Sequence, residues 1–308
     1  MIDLSVRIKN LKFETPFLNA SGVWCTTENE IDEILKSEAG GVVFKTMTLE
    51  KRVGNPEPRL YVTDDFSINS MGLPNLGVDY YCQIASKLKK YQKPLIASFA
   101  GFKEKEFYIL AEKIDNTDFD GLEVNLSCPN LEGKGIFAYD LDLSFKILKN
   151  LKKITKKVIG VKLPPYNDRE TIKKIAEKFL QLKIDFVTLI NSYPLGAFID
   201  TKNERLVIKP NQGIGGLGGR VLKPISLAQV ILFHKFSQGK IDIIGVGGVE
   251  TGDDVYQYIL AGAKLVGVGT RLLKGPKIFS NLKKQLEKIF REKKINKIED
   301  KLGQLKDY

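Results

Sequence analysis

A chain of 308 residues, 43% apolar and 28% charged, has the composition of a globular protein with a large core, and no apolar run approaches the roughly 20 residues that cross a bilayer. Its formal net charge of +11 raises the question of nucleic acid. The lysines, however, are spread over helical stretches such as 146–157, 173–183 and 283–301 with apolar residues at helical spacing between them, as on solvated faces of amphipathic helices, which argues against a dedicated nucleic-acid surface. Three cysteines, Cys25, Cys82 and Cys128, are too widely spaced for a disulfide framework or a metal knuckle. With no basic-then-apolar leader at residues 1–4, that usage points to the cytosol.

In chain order, residues 5–13 read as a small hairpin, 17–20 as a strand and 28–37 as a helix. The second strand, 41–45, is followed by a proline-containing connection over 52–75, too long for a plain loop and therefore expected to be functional. Helix 79–90, strand 95–99, helix 104–116, strand 121–126 and helix 142–154 complete the first half. The second half runs strand 158–163, helix 168–182, strand 186–191, an insertion with two β-like pieces at 197–200 and 206–209, and helix 224–236. Strand 241–246, helix 253–261, strand 265–268 and helix 276–293 finish it. Eight strands, each followed by a helix, predict an α/β fold of the (β/α)8 TIM-barrel kind. It has a small N-terminal hairpin, β insertions at the C-terminal face, and residues 1–308 as one domain.

Reactive residues of such a barrel sit at the C-terminal ends of strands and in the loops that follow. Those positions hold Asn19-Ala20-Ser21-Gly22, Lys45-Thr46, Asn69-Ser70-Met71-Gly72-Leu73-Pro74-Asn75, Asn125-Leu126-Ser127-Cys128-Pro129-Asn130, Lys162 and Asn191-Ser192. Amides that donate and accept in one plane suit a flat ligand rich in carbonyl and amide groups, and the Cys128 thiol beside them suits proton transfer or nucleophilic attack. A lone cysteine is more often an inert packed side chain, and a lone lysine as often a snorkelling surface residue. Two lysines aimed into one barrel mouth, Lys45 and Lys162, call for an anion or an electron-rich ring.

Glycines close the last two strands, Gly245-Val246-Gly247-Gly248 and Gly267-Val268-Gly269-Thr270. Bare backbone there is the usual phosphate site of the barrel, although each run alone could be turn chemistry. The run Gly213-Ile214-Gly215-Gly216-Leu217-Gly218-Gly219 contains a dinucleotide-like spacing outside any βαβ unit, so it is read as close backbone approach to a ligand. A phosphate-bearing cofactor, a planar amide-rich substrate, a thiol and a lysine together fit a flavin mononucleotide (FMN) enzyme.

The segments 69–75, 125–130, Gly160-Val161-Lys162-Leu163-Pro164-Pro165-Tyr166 and Val207-Ile208-Lys209-Pro210 resemble the dihydroorotate dehydrogenases, and the resemblance covers essentially the whole chain. It implies an FMN-binding barrel that oxidises dihydroorotate to orotate in pyrimidine (UMP) synthesis. It further implies that Lys45, Asn69, Met71, Gly72, Leu73, Asn125, Asn191 and Ser192 hold the substrate. Cys128 would be the base that takes a proton from carbon 5, and Lys162 a catalytic cation. Ala20, Ser21, Gly22, Lys45, Thr46, Asn125, Lys162, Ser192, Gly219, Gly247, Gly248, Gly269 and Thr270 would hold FMN. Gly133-Lys134, Leu163-Pro164-Pro165-Tyr166 and the 52–59 segment look like class 1A, which implies a homodimer whose flavin is re-oxidised by fumarate. Arg59, Asn130, Lys134 and Lys209 would shape the active-site loop.

Class 2 members carry an N-terminal extension and a serine base, neither of which this sequence has. The class 1A pattern has Gly-Asn-Gly after the pair equivalent to Asn191-Ser192, whereas this chain has Tyr193-Pro194-Leu195-Gly196, and proline fixes backbone that glycine leaves free. Three other readings remain: a class 1B-like subunit passing electrons to NAD through a partner, an FMN barrel acting on uridine in RNA, and a non-catalytic FMN scaffold.

Overall fold

In a computed structural model, residues 2–127 and 136–306 are described. The N-terminal hairpin pairs β1 (Val6–Ile8) with β2 (Leu11–Phe13), in register Val6 to Phe13. The barrel strands follow as β3 (Phe17–Asn19), β4 (Val42–Val43), then, after the cap strands β5 (Leu60–Val62) and β6 (Phe66–Asn69), β7 (Leu95–Phe99), β8 (Gly121–Asn125), β9 (Val158–Leu163) and β10 (Phe186–Leu189). After β11 (Tyr193–Gly196), β12 (Ile199–Asp200), β13 (Arg205–Leu206) and β14 (Gly215–Gly219), the barrel ends with β15 (Asp242–Val246) and β16 (Leu265–Val268). Eight of these run parallel in the order β3-β16-β15-β10-β9-β8-β7-β4. That is the expected (β/α)8 barrel, with its hairpin and its β insertions.

Parallel strands covered on both faces read as continuous apolar runs rather than alternations. Accordingly every residue of β7, β8 and β9 is buried. The surrounding helices are α1 (Glu28–Lys36), α2 (Val78–Leu88), α3 (Glu104–Asp115), α4 (Leu141–Ile154), α5 (Arg169–Leu182), α6 (Lys223–Phe236), α7 (Gly252–Ala261) and α8 (Ile278–Glu292). Their starts are chemically marked. Thr27 and Glu30 form a reciprocal capping box at α1, Thr251 and Asp254 another at α7, and Asp140 and Asp168 accept from the backbone at α4 and α5. Apolar residues at three- and four-residue intervals, such as Ile278, Leu282, Leu286 and Phe290 of α8, face the barrel, and the lysines between them face water.

The ladder does not run between β3 and β4. That seam is closed by the Gly40 N–H donating to Phe17 O at 2.9 Å and by the buried Asn19 side chain. Its Nδ2 donates to Val43 O at 2.7 Å and its Oδ1 accepts from Val43 N–H at 2.9 Å. An amide thus stands in for one peptide of the missing ladder, satisfying backbone groups that burial would otherwise leave bare.

The 52–75 connection forms the hairpin β5–β6, which joins β14 and β11 in an antiparallel sheet ordered β11-β14-β6-β5. Because this sheet grows from loops that follow β4 and β10, it caps the C-terminal face. Strand β14 is the glycine run. A Cβ on Gly215 would stand 2.4 Å from Asn69 O, and one on Gly216 would stand 2.4 Å from Ser192 Oγ, so glycine is required by close approach. The two pieces expected at 197–200 and 206–209 are the short pair β12 and β13.

Candidate active site

Between the barrel's C-terminal face and the cap sheet lies a cleft with an empty volume of ≈ 1340 Å³, its open mouth included. It is lined from β3 by Ala20, Ser21 and Gly22, from the β4 end by Lys45 and Thr46, and from the cap by Asn69, Met71, Leu73 and Gly219. Asn125, Lys162, Asn191 and Ser192 line it from the central strands, and Gly247, Gly248, Gly269 and Thr270 from the last two. Gly72 does not line it: its backbone sits against Asn55, and its carbonyl accepts from Arg52 Nε at 3.3 Å. Arg59 also stands outside, its Nη1 donating to Val53 O at 2.6 Å and Asn55 O at 3.1 Å, while Lys209 N–H donates to Pro58 O at 2.7 Å. Cys128, Asn130 and Lys134 fall outside the described residues.

The central polar groups are tied to one another. Asn125 Nδ2 donates to Thr46 Oγ1 at 3.1 Å, while its Oδ1 accepts from the Ser127 N–H at 3.1 Å and the Ser127 hydroxyl at 2.8 Å. Thr46 Oγ1 is 2.8 Å from Ser21 Oγ and 2.9 Å from Ser98 Oγ. Asn191 Nδ2 donates to Ser127 O at 2.9 Å, and Asn69 Nδ2 to Gly216 O at 3.0 Å. Held at these points, the amides cannot rotate freely, which fixes the geometry a planar ligand meets.

Both lysines converge on one short segment. Lys45 and Lys162 are each 5% exposed; Lys45 Nζ donates to Gly22 O at 2.7 Å and Lys162 Nζ to Ser21 O at 3.4 Å. Burial pulls the Lys45 ammonium below the ordinary lysine range, with Lys162 adding like-charge repulsion. The Cys25 thiol beside them is fully buried, accepts from the Gly22 N–H at 3.3 Å and is pushed up by burial. It is a packed thiol, as a lone cysteine usually is.

At the far end of the cleft Gly247 and Gly248 have φ of +147° and +65°, backbone that side chains other than glycine rarely follow. A Cβ on Gly22 would have no atom within 4 Å, and one on Gly269 would meet only Ala20 Cβ at 3.8 Å. Both would project into open cleft, so bare backbone at these points leaves room for a group pressed against it. Some of the lining was not singled out from the sequence: Ser67, Glu250 and Arg271. Ser67 Oγ lies 3.1 Å from Thr270 Oγ1 and links the cap to the β16 loop. The only signal for it was its place in the long 52–75 connection. Among the described residues no group of three or more His, Cys, Asp or Glu could hold a metal, and no helix is long and apolar enough to cross a membrane.

The profile of the family described as dihydroorotate dehydrogenase matches residues 3–290. The chain belongs to the dihydroorotate dehydrogenase family. It is 44% identical over 308 residues to dihydroorotate dehydrogenase A (fumarate) of Lactococcus lactis subsp. cremoris, spanning 98% of this chain and 99% of that protein. It is 42% identical to dihydroorotate dehydrogenase (fumarate) of Lachancea kluyveri, spanning 98% of each. The ligand-free DHODH of Eimeria tenella superposes with a TM-score of 0.86 at 25% identity, covering 99% of this chain and 92% of that one. Dihydroorotate dehydrogenases are flavin-dependent oxidoreductases in general, and the fold is shared with the solved relative.

Proposed function

We propose that this chain oxidises (S)-dihydroorotate to orotate with FMN bound in the cleft and fumarate as the final electron acceptor, in pyrimidine synthesis in the cytoplasm. The observation that carries the reading is the convergence of two buried ammonium groups and an interlocked set of asparagines on the same cleft as the bare glycine backbone that ends β15 and β16. Gly247, Gly248, Gly269 and Thr270 would hold the phosphate of FMN, while Ala20, Ser21, Gly22, Thr46 and Lys162 would hold its ring. When bound, FMN supplies the acceptor for the hydride that leaves carbon 6 of the substrate.

The chain's own residues do the rest. Lys45 offers positive charge to the substrate carboxylate, and Asn69, Asn125, Asn191 and Ser192 meet its ring amides. Cys128, three residues beyond Asn125, takes the carbon 5 proton as its thiolate, so that the C5–H electron pair becomes the new C5=C6 bond. Fumarate, a planar dicarboxylate, would use the same cation and amides. Fumarate is also the acceptor named for the relatives from Lactococcus lactis and Lachancea kluyveri.

The experiment is Cys128→Ala followed by stopped-flow reduction with dihydroorotate. Loss of a general base typically slows a reaction by about 10²–10⁴-fold, so flavin content and orotate binding should persist while reduction slows on that scale. Near-normal reduction would remove Cys128 from the mechanism.

A homodimer belongs to the same proposal. Leu195 (83% exposed), Ile199 (59%), Phe198, Leu206 and Ile214 are exposed apolar residues of the stretch between β10 and β14, and Ile199 pairs with Leu206 across β12 and β13. A cluster of this kind marks an interaction surface.

A further inference from the structure

Glu123 lies on β8 two residues before Asn125, and only 2% of its surface is exposed. Its Oε2 accepts a hydrogen bond of 2.7 Å from the Thr188 hydroxyl on β10, while Oε1, equally buried, has no hydrogen-bond partner. A buried carboxylate with a bare oxygen is costly unless an opposite charge lies close by, and an orphaned atom of this kind calls for a physical reason.

The strand register locates that charge. Asn125 pairs with Lys162 and Glu123 with Gly160 on β9, and Lys162 pairs with Thr188 on β10. Residues paired in register share a face of the sheet. To reach Thr188, the Glu123 side chain therefore crosses β9 on the face that carries Gly160 and Lys162. Gly160 has no side chain to block the route; a Cβ there would already stand 2.2 Å from the Phe186 ring. Lys45 and Cys25 also interact with this lysine, and Arg59 and Glu30 act on Lys45 in turn. Burial keeps the Cys25 thiol protonated, so it supplies no negative charge. Two ammonium groups thus share an interior in which Glu123 is the carboxylate nearest to Lys162 by register.

We propose that Glu123 is ionised and is the counter-charge of Lys162, a positioning residue that keeps the ammonium charged beside the electron-rich ring held in the cleft. The ring's presence rests on the function proposed above; the ionisation of Glu123 does not. Removing the carboxylate leaves the cation uncompensated. The stronger net positive charge then favours the reduced form of the ring and raises its reduction potential.

Two readouts test this. The first is the infrared difference spectrum at neutral pH between wild-type protein and Glu123→Gln, with isotope-labelled glutamate; Glu123→Asp replaces the Gln variant should the latter not fold. Loss of an ionised carboxylate band is expected, and loss of a protonated carboxyl band overturns the proposal. The second is the cofactor's midpoint potential at neutral pH in wild type, Glu123→Gln, Lys162→Met and the double variant. Glu123→Gln should raise the potential in the wild-type background, and should have little effect in the Lys162→Met background, where the buried carboxylate has lost its counter-charge and is neutralised by a proton. An equal effect in both backgrounds, or none in either, overturns the pairing. Failure of dihydroorotate to reduce the wild-type cofactor would strike the proposed substrate alone and leave the infrared result standing.

Discussion

Lys45 shows how much one side chain's chemistry can depend on its place in the fold. Its ammonium is nearly sealed from water, and burial lowers its pKa from the usual 10.5. Between the lowered folded value and the ordinary value, the unfolded chain keeps a proton that the folded chain has lost, so stability rises with pH across that window. Below the folded value the cost of burying the ammonium is present in full. An anion bound against Lys45 reverses the balance by favouring the charged form. Orotate should therefore bind more tightly as pH falls through this window, with proton uptake measurable by titration calorimetry in buffers of different ionisation enthalpy. Lys45→Met should remove that proton uptake and weaken binding by about 1.5–3 kcal/mol, the range for a hydrogen bond to a charged group. Unchanged affinity in Lys45→Met would show that the substrate carboxylate is held elsewhere.

At the scale of elements, the glycine strand β14 is the point where sequence and structure part. The eight barrel strands were legible because a buried parallel strand is an apolar run, and the helices because one face of each is apolar at helical spacing. Gly215-Gly216-Leu217-Gly218-Gly219 carries neither signal, since glycine is depleted in strands, and its pairing with β6 and β11 is set by what lies opposite. The same holds for β5 and β6, which the length of the 52–75 connection marked as functional without revealing a sheet. Gly216→Ala tests this close approach. Its Cβ would press on Ser192 Oγ and Cβ, at 2.4 and 2.9 Å in the present geometry, costing about 1–3 kcal/mol as overpacking does. Because the strain falls on a proposed substrate residue, KM for dihydroorotate should rise more than the melting temperature falls. A variant with wild-type KM would place Ser192 away from the substrate.

The site was legible to a similar degree and for a related reason. Lys45, Asn125, Lys162, Asn191 and the terminal glycines stand at strand ends, where the barrel's geometry alone gathers them into one cleft. Gly72 could not be placed this way, because its position depends on how the cap loop folds back onto Asn55. Ser67 and Arg271 reach the cleft through contacts made by the cap and by the turn after β16, which no local pattern announces.

For the whole molecule, the surplus of lysine is spread over a surface of exposed ion pairs such as Lys113–Asp79 and Lys288–Glu292. Each such pair contributes little to stability. The apolar cluster around Leu195, Phe198 and Ile199 is the surface feature with a consequence for assembly. Sedimentation of the wild-type protein should give a dimer, and Phe198→Asp should shift it towards monomer with the barrel intact. A monomeric wild type would remove the dimer from the proposal, and a dimer untouched by Phe198→Asp would move the interface elsewhere. The account as a whole turns on one anaerobic absorbance experiment: the purified protein's spectrum before dihydroorotate, after it, and after fumarate. Bleaching of a flavin band by dihydroorotate and its return with fumarate is the predicted result; a flavin band that dihydroorotate leaves unchanged would contradict it.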